Sequence, residues 1–388
     1  MTATTKTPKI LIVHLFSNGD CLYATTVARQ ARHDFPGCHI TWLVGSSCSS
    51  MVMNNPDIDA LWQVDLPASA EDKEKMFEAV IEEAKKKKQS GEFDDIFITQ
   101  ILGDNYAKYD GSLITSIYRC YGHPVTVDKT PVLVLTDAEI SKANTFASFN
   151  KIDSFKHVVL FECAPQSGQL DIGDTFINNV CAAIMQNEDT CIILSSAKKI
   201  QSTVPNVFDG STLSIRETVA LSHHCTLLLG CSSGITWAVA STAGKKLPTI
   251  QLLDKNAYIF NPPSITFAQM GKAVDHIIEL FDFTVPLLSD CFSVVMNKGF
   301  DTARNSYNQK PVKQFRVYRG ITHMFIARKK YALLSNFIKL NIAVHGYNLS
   351  MLSMIMKGIV LYPIQSRLNA KKIKQETARM GMMAIKKL

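Results

Sequence analysis

At 388 residues and 46% apolar side chains, the chain holds enough material for two α/β cores and an appendage, which excludes a disordered class. Its ten cysteines are scattered without a C-x-x-C pair or metal-ligand spacing, which argues for reduced thiols in a cytosol rather than a disulfide framework. The net charge of +7 is uneven: residues 301–388 carry 17 of the 41 Lys+Arg and 2 of the 34 Asp+Glu, a balance of +15, against −8 for residues 1–300.

The first element is an apolar run from Lys9 to Phe16, closed by Ser17-Asn18-Gly19-Asp20. The run predicts a buried strand, being too short and wrongly flanked for a signal peptide, and Cys21 to Phe35 predicts a helix. This strand-turn-helix sets Asp20 at the carboxyl end of a parallel strand, where open α/β sheets take ligands. The carboxylate is either an N-cap or a group facing substrate. The Phe35-Pro36-Gly37 turn introduces a second strand, Cys38 to Val44, followed by a short helix and a loop-and-strand over Asn55 to Val64. Glu71 to Lys88 reads as a helix with Met76, Phe77, Val80, Ile81 and Ala84 on one face, and Lys85 to Lys88 form its solvated C-terminus. Asp94 to Thr99 is a further strand.

A linking helix is expected over Asp137 to Phe149, and the pattern restarts near Lys151. Strands are read at 157–161, 190–194, 226–229 and 248–252, with helices at 175–186, 214–222 and 234–243. The alternation predicts parallel sheets covered on both faces. The expected domains are 1–150, 151–300 and a basic helical tail over 301–388.

Two further loops join the first as candidates. Leu229-Gly230-Cys231-Ser232-Ser233-Gly234 is again a strand, a small-residue turn and a helix start. It is either a turn capped by Ser232 or Ser233, or a diphosphate cradle of free N–H groups with two hydroxyl donors added. The stretch Phe161 to Gln169 is either an ordinary Pro/Gly turn or a wall of the same cleft. Lone residues take plain roles: His14 in the core, His223-His224 at a helix end, Asp57 and Asp59 in caps or turns.

Ser17-Asn18-Gly19-Asp20, Phe35-Pro36, Ile40-Thr41-Trp42-Leu43-Val44 and Asn55-Pro56-Asp57-Ile58-Asp59 occur in the order and spacing of the N-terminal half of glycosyltransferase family 9. The chain resembles these heptosyltransferase-like enzymes over residues 8–65 and, more weakly, 157–255. The resemblance implies a GT-B fold, two facing Rossmann-like domains with acceptor on the first and nucleotide sugar on the second. It implies Asp20 as general base of an inverting, metal-independent transfer, with Ser17, Asn18 and Gly19 shaping the acceptor loop. Ser232, Ser233 and Gly234 would hold the donor diphosphate, flanked by Ser167, Gly168 and Gln169. The chain departs from the family at four places. Ser232 replaces an Asp, Trp237 replaces a His, Gln169 stands where a Lys is usual, and the ribose-binding Glu has no match. Lys198 or Lys199 would meet phosphate instead, and these departures count against ADP-heptose while leaving a nucleotide-sugar donor. No cofactor is expected.

The tail interleaves basic residues with Phe325, Tyr331, Leu334, Phe337 and Ile338. Residues 316–387 are expected to lie on an anionic membrane surface at the inner face of the cell membrane. Packing on the body is the plain alternative, and no nucleic-acid module is present. The acceptor would be a surface glycan or glycolipid of lipopolysaccharide or capsule type. Two other readings remain: a nucleotide-sugar epimerase, and a catalytically inactive GT-B scaffold or assembly subunit. A nicotinamide or flavin oxidoreductase is disfavoured, because Phe16 to Cys21 has one glycine where G-x-G-x-x-G is needed.

Overall fold

The computed structural model describes residues 7–361 apart from 166–169, 171, 188 and 258–260. In chain order the first part runs β1 (Lys9–Val13), α1 (Asn18–Asp34), β2 (His39–Gly45), β3 (Ala60–Val64), α2 (Ala70–Gln89), β4 (Asp95–Ile98) and α3 (Leu113–Tyr121). Its four strands are all parallel, in the order β3-β2-β1-β4. β1 reads as one continuous apolar run because both faces of a central parallel strand are covered. Leu11 and Val13 pack with Leu43 and with Phe77, Val80 and Ala84 of α2, the face expected from its periodicity. Ser69 caps α2 by accepting from Asp72 N at 3.1 Å, and the lysine-rich end is exposed.

Helix α4 (Asp137–Phe149) links the two sheets and starts with a capping box between Thr136 and Glu139. The second part follows as β5 (His157–Glu162), α5 (Asp174–Ile184), β6 (Thr190–Ser195), β7 (Val207–Asp209), α6 (Ile215–Leu221), β8 (Leu227–Gly230), α7 (Gly234–Val239), β9 (Thr249–Leu252), α8 (Pro263–Gln269), β10 (Ile277–Leu280), α9 (Val285–Lys298) and α10 (Phe300–Tyr307). Six parallel strands lie in the order β10-β9-β8-β5-β6-β7. Their core joins Val159, Phe161, Ile192, Leu229, Ile250 and Ile278 to Ile177 and Val180 of α5 and to Leu288 and Phe292 of α9. Buried Arg216 of α6 ties the parts together. It donates to Ser50 O at 2.8 Å and to Glu139 Oε2 at 2.9 Å. Burial alone would raise the Glu139 carboxyl, but the Arg216 and Thr136 hydrogen bonds outweigh it and hold it below its ordinary value. All ten cysteines are buried as free thiols.

The chain divides into two compact units: residues 1–105 with 112–312, and residues 106–111 with 313–388. The basic region thus separates at Lys313 rather than at 301, since α9 and α10 pack into the second sheet's core. In the second unit, helices α11 (Arg316–Ala327), α12 (Tyr331–His345) and α13 (Leu349–Val360) form a small bundle. Phe315, Tyr318, Phe325, Phe337, Met351 and Ile355 are its core. Tyr318 donates its hydroxyl to buried Asn341, which donates Nδ2 to Tyr109 O at 2.9 Å. Any side chain at Gly358 would collide with Arg319 O, so glycine allows α13 to close on α11.

This bundle corrects the expected lipid-facing set. Phe325, Leu334 and Phe337 point inward, because their spacing matches the buried stripe of α11 and α12. Tyr331 of that set is exposed on α12, with Val344, and the bundle's remaining exposed large apolar residues lie at the entry and outer face of α13: Tyr347, Leu349, Met356, Ile359 and Val360. No helix among the described residues is long and apolar enough to cross a membrane.

Candidate active site

Each sheet changes its direction of growth at one place. From β1 the chain builds outward through β2 and β3, then returns to the other side of β1 with β4. From β5 it builds through β6 and β7, then returns with β8, β9 and β10. The crevice outside the carboxyl ends at such a switch point is where open α/β sheets bind ligands. Ser17 to Asp20 leave β1 there, while Glu162 ends β5 and Cys231 to Gly234 leave β8.

The two exits meet. A side chain at Gly234 would touch Asn18 Cβ at 3.5 Å, and one at Gly19 would stand 3.2 Å from Trp237 Cδ1. The Tyr23 and Trp237 rings pack edge-on at 5.1 Å between centroids. Ser17 and Ser232 both hold left-handed backbone, with φ of 69° and 53°. Such a conformation costs a non-glycine residue about 1 kcal/mol, and it clusters at functional sites. Surrounding bonds hold both turns in place. Gln100 Oε1 accepts from Leu15 N at 3.0 Å and Phe16 N at 2.8 Å, and Gln251 Oε1 accepts from Ser232 N at 2.7 Å.

Asp20 lies in the first turn of α1 and keeps part of its surface open. Protein nonetheless surrounds it on most sides, and that burial, with the Cys48 thiol beside it, pushes its carboxyl up to about 7. Asn18 Oδ1 is buried without a hydrogen-bond partner among the described residues. A buried acceptor without a partner, two residues from a half-buried carboxyl, is the kind of group a ligand hydroxyl can satisfy. His14 is in the core as expected, with Nδ1 bonded to Thr99 Oγ1 at 2.9 Å, and burial lowers it to about 3. That removes it as a base near neutral pH.

The second exit differs from both readings of its sequence. Glu162, 1% exposed, fills the start of α7. Its carboxyl accepts from Cys231 N at 2.8 Å, Ile235 N at 3.0 Å, Thr236 N at 3.3 Å and Thr236 Oγ1 at 2.8 Å, and from the Ser233 hydroxyl. The Ser232 hydroxyl donates to Asn261 O at 2.6 Å. Both serine hydroxyls are therefore engaged inside the protein, and neither serine side chain caps the helix. Gly234 alone of the three faces the opposing loop. Glu162 was missed because its partners lie 69 to 74 residues away.

Of the expected donor-flanking residues, Ser167, Gly168 and Gln169 lie outside the described residues. Lys198 lines a cavity of about 250 Å³ at the carboxyl ends of β5 and β6, together with Cys163, Pro165, Asp174 and Ser196. Its ammonium reaches Asp174 Oδ1 at 3.4 Å. Lys199 is exposed and is not part of that wall. Among the described residues no three His, Cys, Asp or Glu side chains converge as a metal site.

The contact between the two exits is testable. Gly234→Ala should be tolerated, since its added carbon meets Asn18 at ordinary distance. Gly234→Val should push the loops apart and lower turnover by up to about 100-fold, with the unfolding midpoint nearly unchanged. Equal turnover for both variants would show that the loops need not touch.

No protein-family model matches the chain, and no curated protein sequence matches it. Solved structures do. A glycosyl transferase family 9 protein from Veillonella parvula DSM 2008 superposes with a TM-score of 0.52 at 13% identity, over 75% of this chain and 89% of that one. The ADP-heptose lipopolysaccharide heptosyltransferase II of E. coli gives 0.50 at 13% identity, over 75% and 99%. Two parallel-sheet α/β domains joined at Arg216 and meeting at the β1 and β8 exits thus have the GT-B fold, shared with the family 9 glycosyltransferases.

Proposed function

We propose that this protein is a glycosyltransferase that moves a sugar from a nucleotide-diphosphate donor to a glycan or glycolipid acceptor, with inversion and with Asp20 as general base. The observation that carries the reading is Asp20 itself. Its carboxyl sits at a switch point, in the turn whose Asn18 and Gly19 meet the second domain's loop, and burial pushes it up to about 7. A base is most effective when its pKa lies near the working pH. In this reading an acceptor hydroxyl lies between Asp20 and the open Asn18 Oδ1, and Asp20 takes its proton as the oxygen attacks the anomeric carbon. The donor diphosphate lies along the wall that includes Lys198, with Gly234 allowing close approach. The test is a panel of nucleotide sugars scored by thermal shift, followed by transfer assays with glycan acceptors. A donor that binds only the folded chain raises its unfolding temperature. Consumption of donor without acceptor would indicate an epimerase instead.

One observation favours a second reading, a GT-B scaffold without turnover. Glu162 takes the N–H groups that a diphosphate at α7 would need. Donor binding with no transfer to any acceptor would support it.

The acceptor reading includes a membrane. The outer face of α13 carries Leu349, Met356, Ile359 and Val360 at helical spacing, in a region without an acidic residue from Thr302 to Gln375. That combination suits an anionic bilayer, where each well-placed cation contributes about 1 kcal/mol. Leu349→Ser with Met356→Ser should release the protein from anionic vesicles without unfolding it, and added salt should weaken the intact chain's binding. Equal binding to neutral and anionic vesicles would remove the electrostatic part of the reading.

A further inference from the structure

Away from the cleft, at the amino-terminal ends of β8, β9 and β10, lies a second, partly enclosed cavity of about 260 Å³. α7 and α8 form its sides, through Val239, Ala240, Phe267 and Met270, and Leu228, Leu247 and Ile277 form its floor. Its lining is mostly apolar, whereas its mouth is cationic, with Lys245, Lys246 and Lys272, beside His276, which burial keeps below its ordinary value. Not all of that charge is available. Lys272 pairs with Asp128 at 3.1 Å, and Asp275 faces His276 at 3.4 Å. The Lys245 ammonium donates to the carbonyls of His223 and Cys225 and to no carboxylate among the described residues. Lys246 is exposed and has no hydrogen-bond or ion-pair partner among the described residues, although Asp275 lies within its electrostatic reach. Two lysine charges thus remain without a paired carboxylate at the mouth of an apolar cavity.

We propose that this cavity is a binding site for a medium-chain fatty carboxylate, its chain inside and its head on Lys245 and Lys246. Size sets the chain length. An apolar cavity of about 150 Å³ holds a six-carbon ring, so by proportion 260 Å³ takes about ten carbons. The volume lies just below the usual range for drug-sized ligands, about 300 Å³ and up, and this excludes a sterol or a nucleotide. Charge sets the head. A free alcohol or amine of the same length would leave the lysines unanswered or repelled. The site shares with the candidate active site only the wall residues Thr236 and Gln251, which help hold the β8 exit, so it stands whether or not the transferase reading holds.

The experiment is calorimetric titration of the full chain with saturated carboxylates of six to fourteen carbons, all below micelle formation. Affinity is expected to rise roughly fourfold per methylene up to about ten carbons and then level or fall, as added carbons find no wall. Decanol should bind at least tenfold more weakly than decanoate. Lys246→Gln, an exposed change that sets no like charge beside Asp275, should weaken decanoate at least tenfold and leave decanol unaffected. Ala240→Leu, which fills the cavity, should abolish both. Affinity that climbs steadily to fourteen carbons, or decanoate binding indifferent to both substitutions, would mean surface adsorption and would overturn the site. So would an absence of binding at millimolar decanoate.

Discussion

Asp20→Asn is expected to lower sugar transfer by about 100-fold or more while leaving donor affinity nearly unchanged, because asparagine keeps the shape but cannot accept the acceptor proton. The wild-type rate should rise with pH through about 7, as the burial-raised carboxyl ionises, and the variant should lose that step. Stability supplies an independent readout. A carboxyl whose folded pKa lies above its unfolded value binds its proton more tightly in the native state. Native stability therefore falls as pH rises from about 4 toward 7, and the cost of the buried charge is fully present above 7. Asparagine carries no charge to bury, so the variant should be more stable than wild type at pH 8 and close to it at pH 4. An inactive, stabilised variant is the signature of a group kept for chemistry. A destabilised variant with normal activity in its folded fraction would make Asp20 a cap.

The second large effect is expected at Glu162. Its removal leaves three buried N–H groups and two hydroxyls around the β8 exit without their acceptor. An unsatisfied buried donor costs about 1–3 kcal/mol, and entering water offsets part of the sum, so Glu162→Ala should lose about 4 kcal/mol of unfolding free energy. Glu162→Gln should lose less, since one carbonyl oxygen still accepts while its amide opposes N–H donors. The denaturant midpoint reads both. Turnover should fall in the surviving folded fraction too, because the loop that presents Gly234 to Asn18 is no longer held. A midpoint unchanged in the alanine variant would mean that Glu162 does not hold the loop.

The strand-end motifs were legible for a physical reason. A central parallel strand buried on both faces must be apolar throughout, so Ile10 to Val13, Val158 to Phe161 and Ile192 to Leu194 stand out in the chain. Helix α2 was legible from its periodicity and α4 as a linking helix, each within a residue or so of its observed ends. Strands β7 and β10 and helices α3, α8, α9 and α10 were not read, because their short apolar stretches carry no turn signal strong enough to separate strand from helix. The tail showed its charge and its amphipathicity, but not which apolar stripe faced inward.

By itself, then, the order of apolar runs, turns and caps determined two parallel α/β halves and put Asp20 and Gly234 at strand ends, since these follow from neighbours a few residues apart. Which groups meet across that edge was decided by strand order. The return of the chain to β5 with β8 brings Glu162 within bonding distance of Ser233, 71 residues away, and turns an apparent anion cradle into a loop closed from within. The bundle of α11, α12 and α13 likewise commits Phe325 and Phe337 to its core and leaves the outer face of α13 in water. Local pattern carries propensity and period, whereas the filling of a helix N-terminus or a helix face depends on residues that only the folded chain brings near.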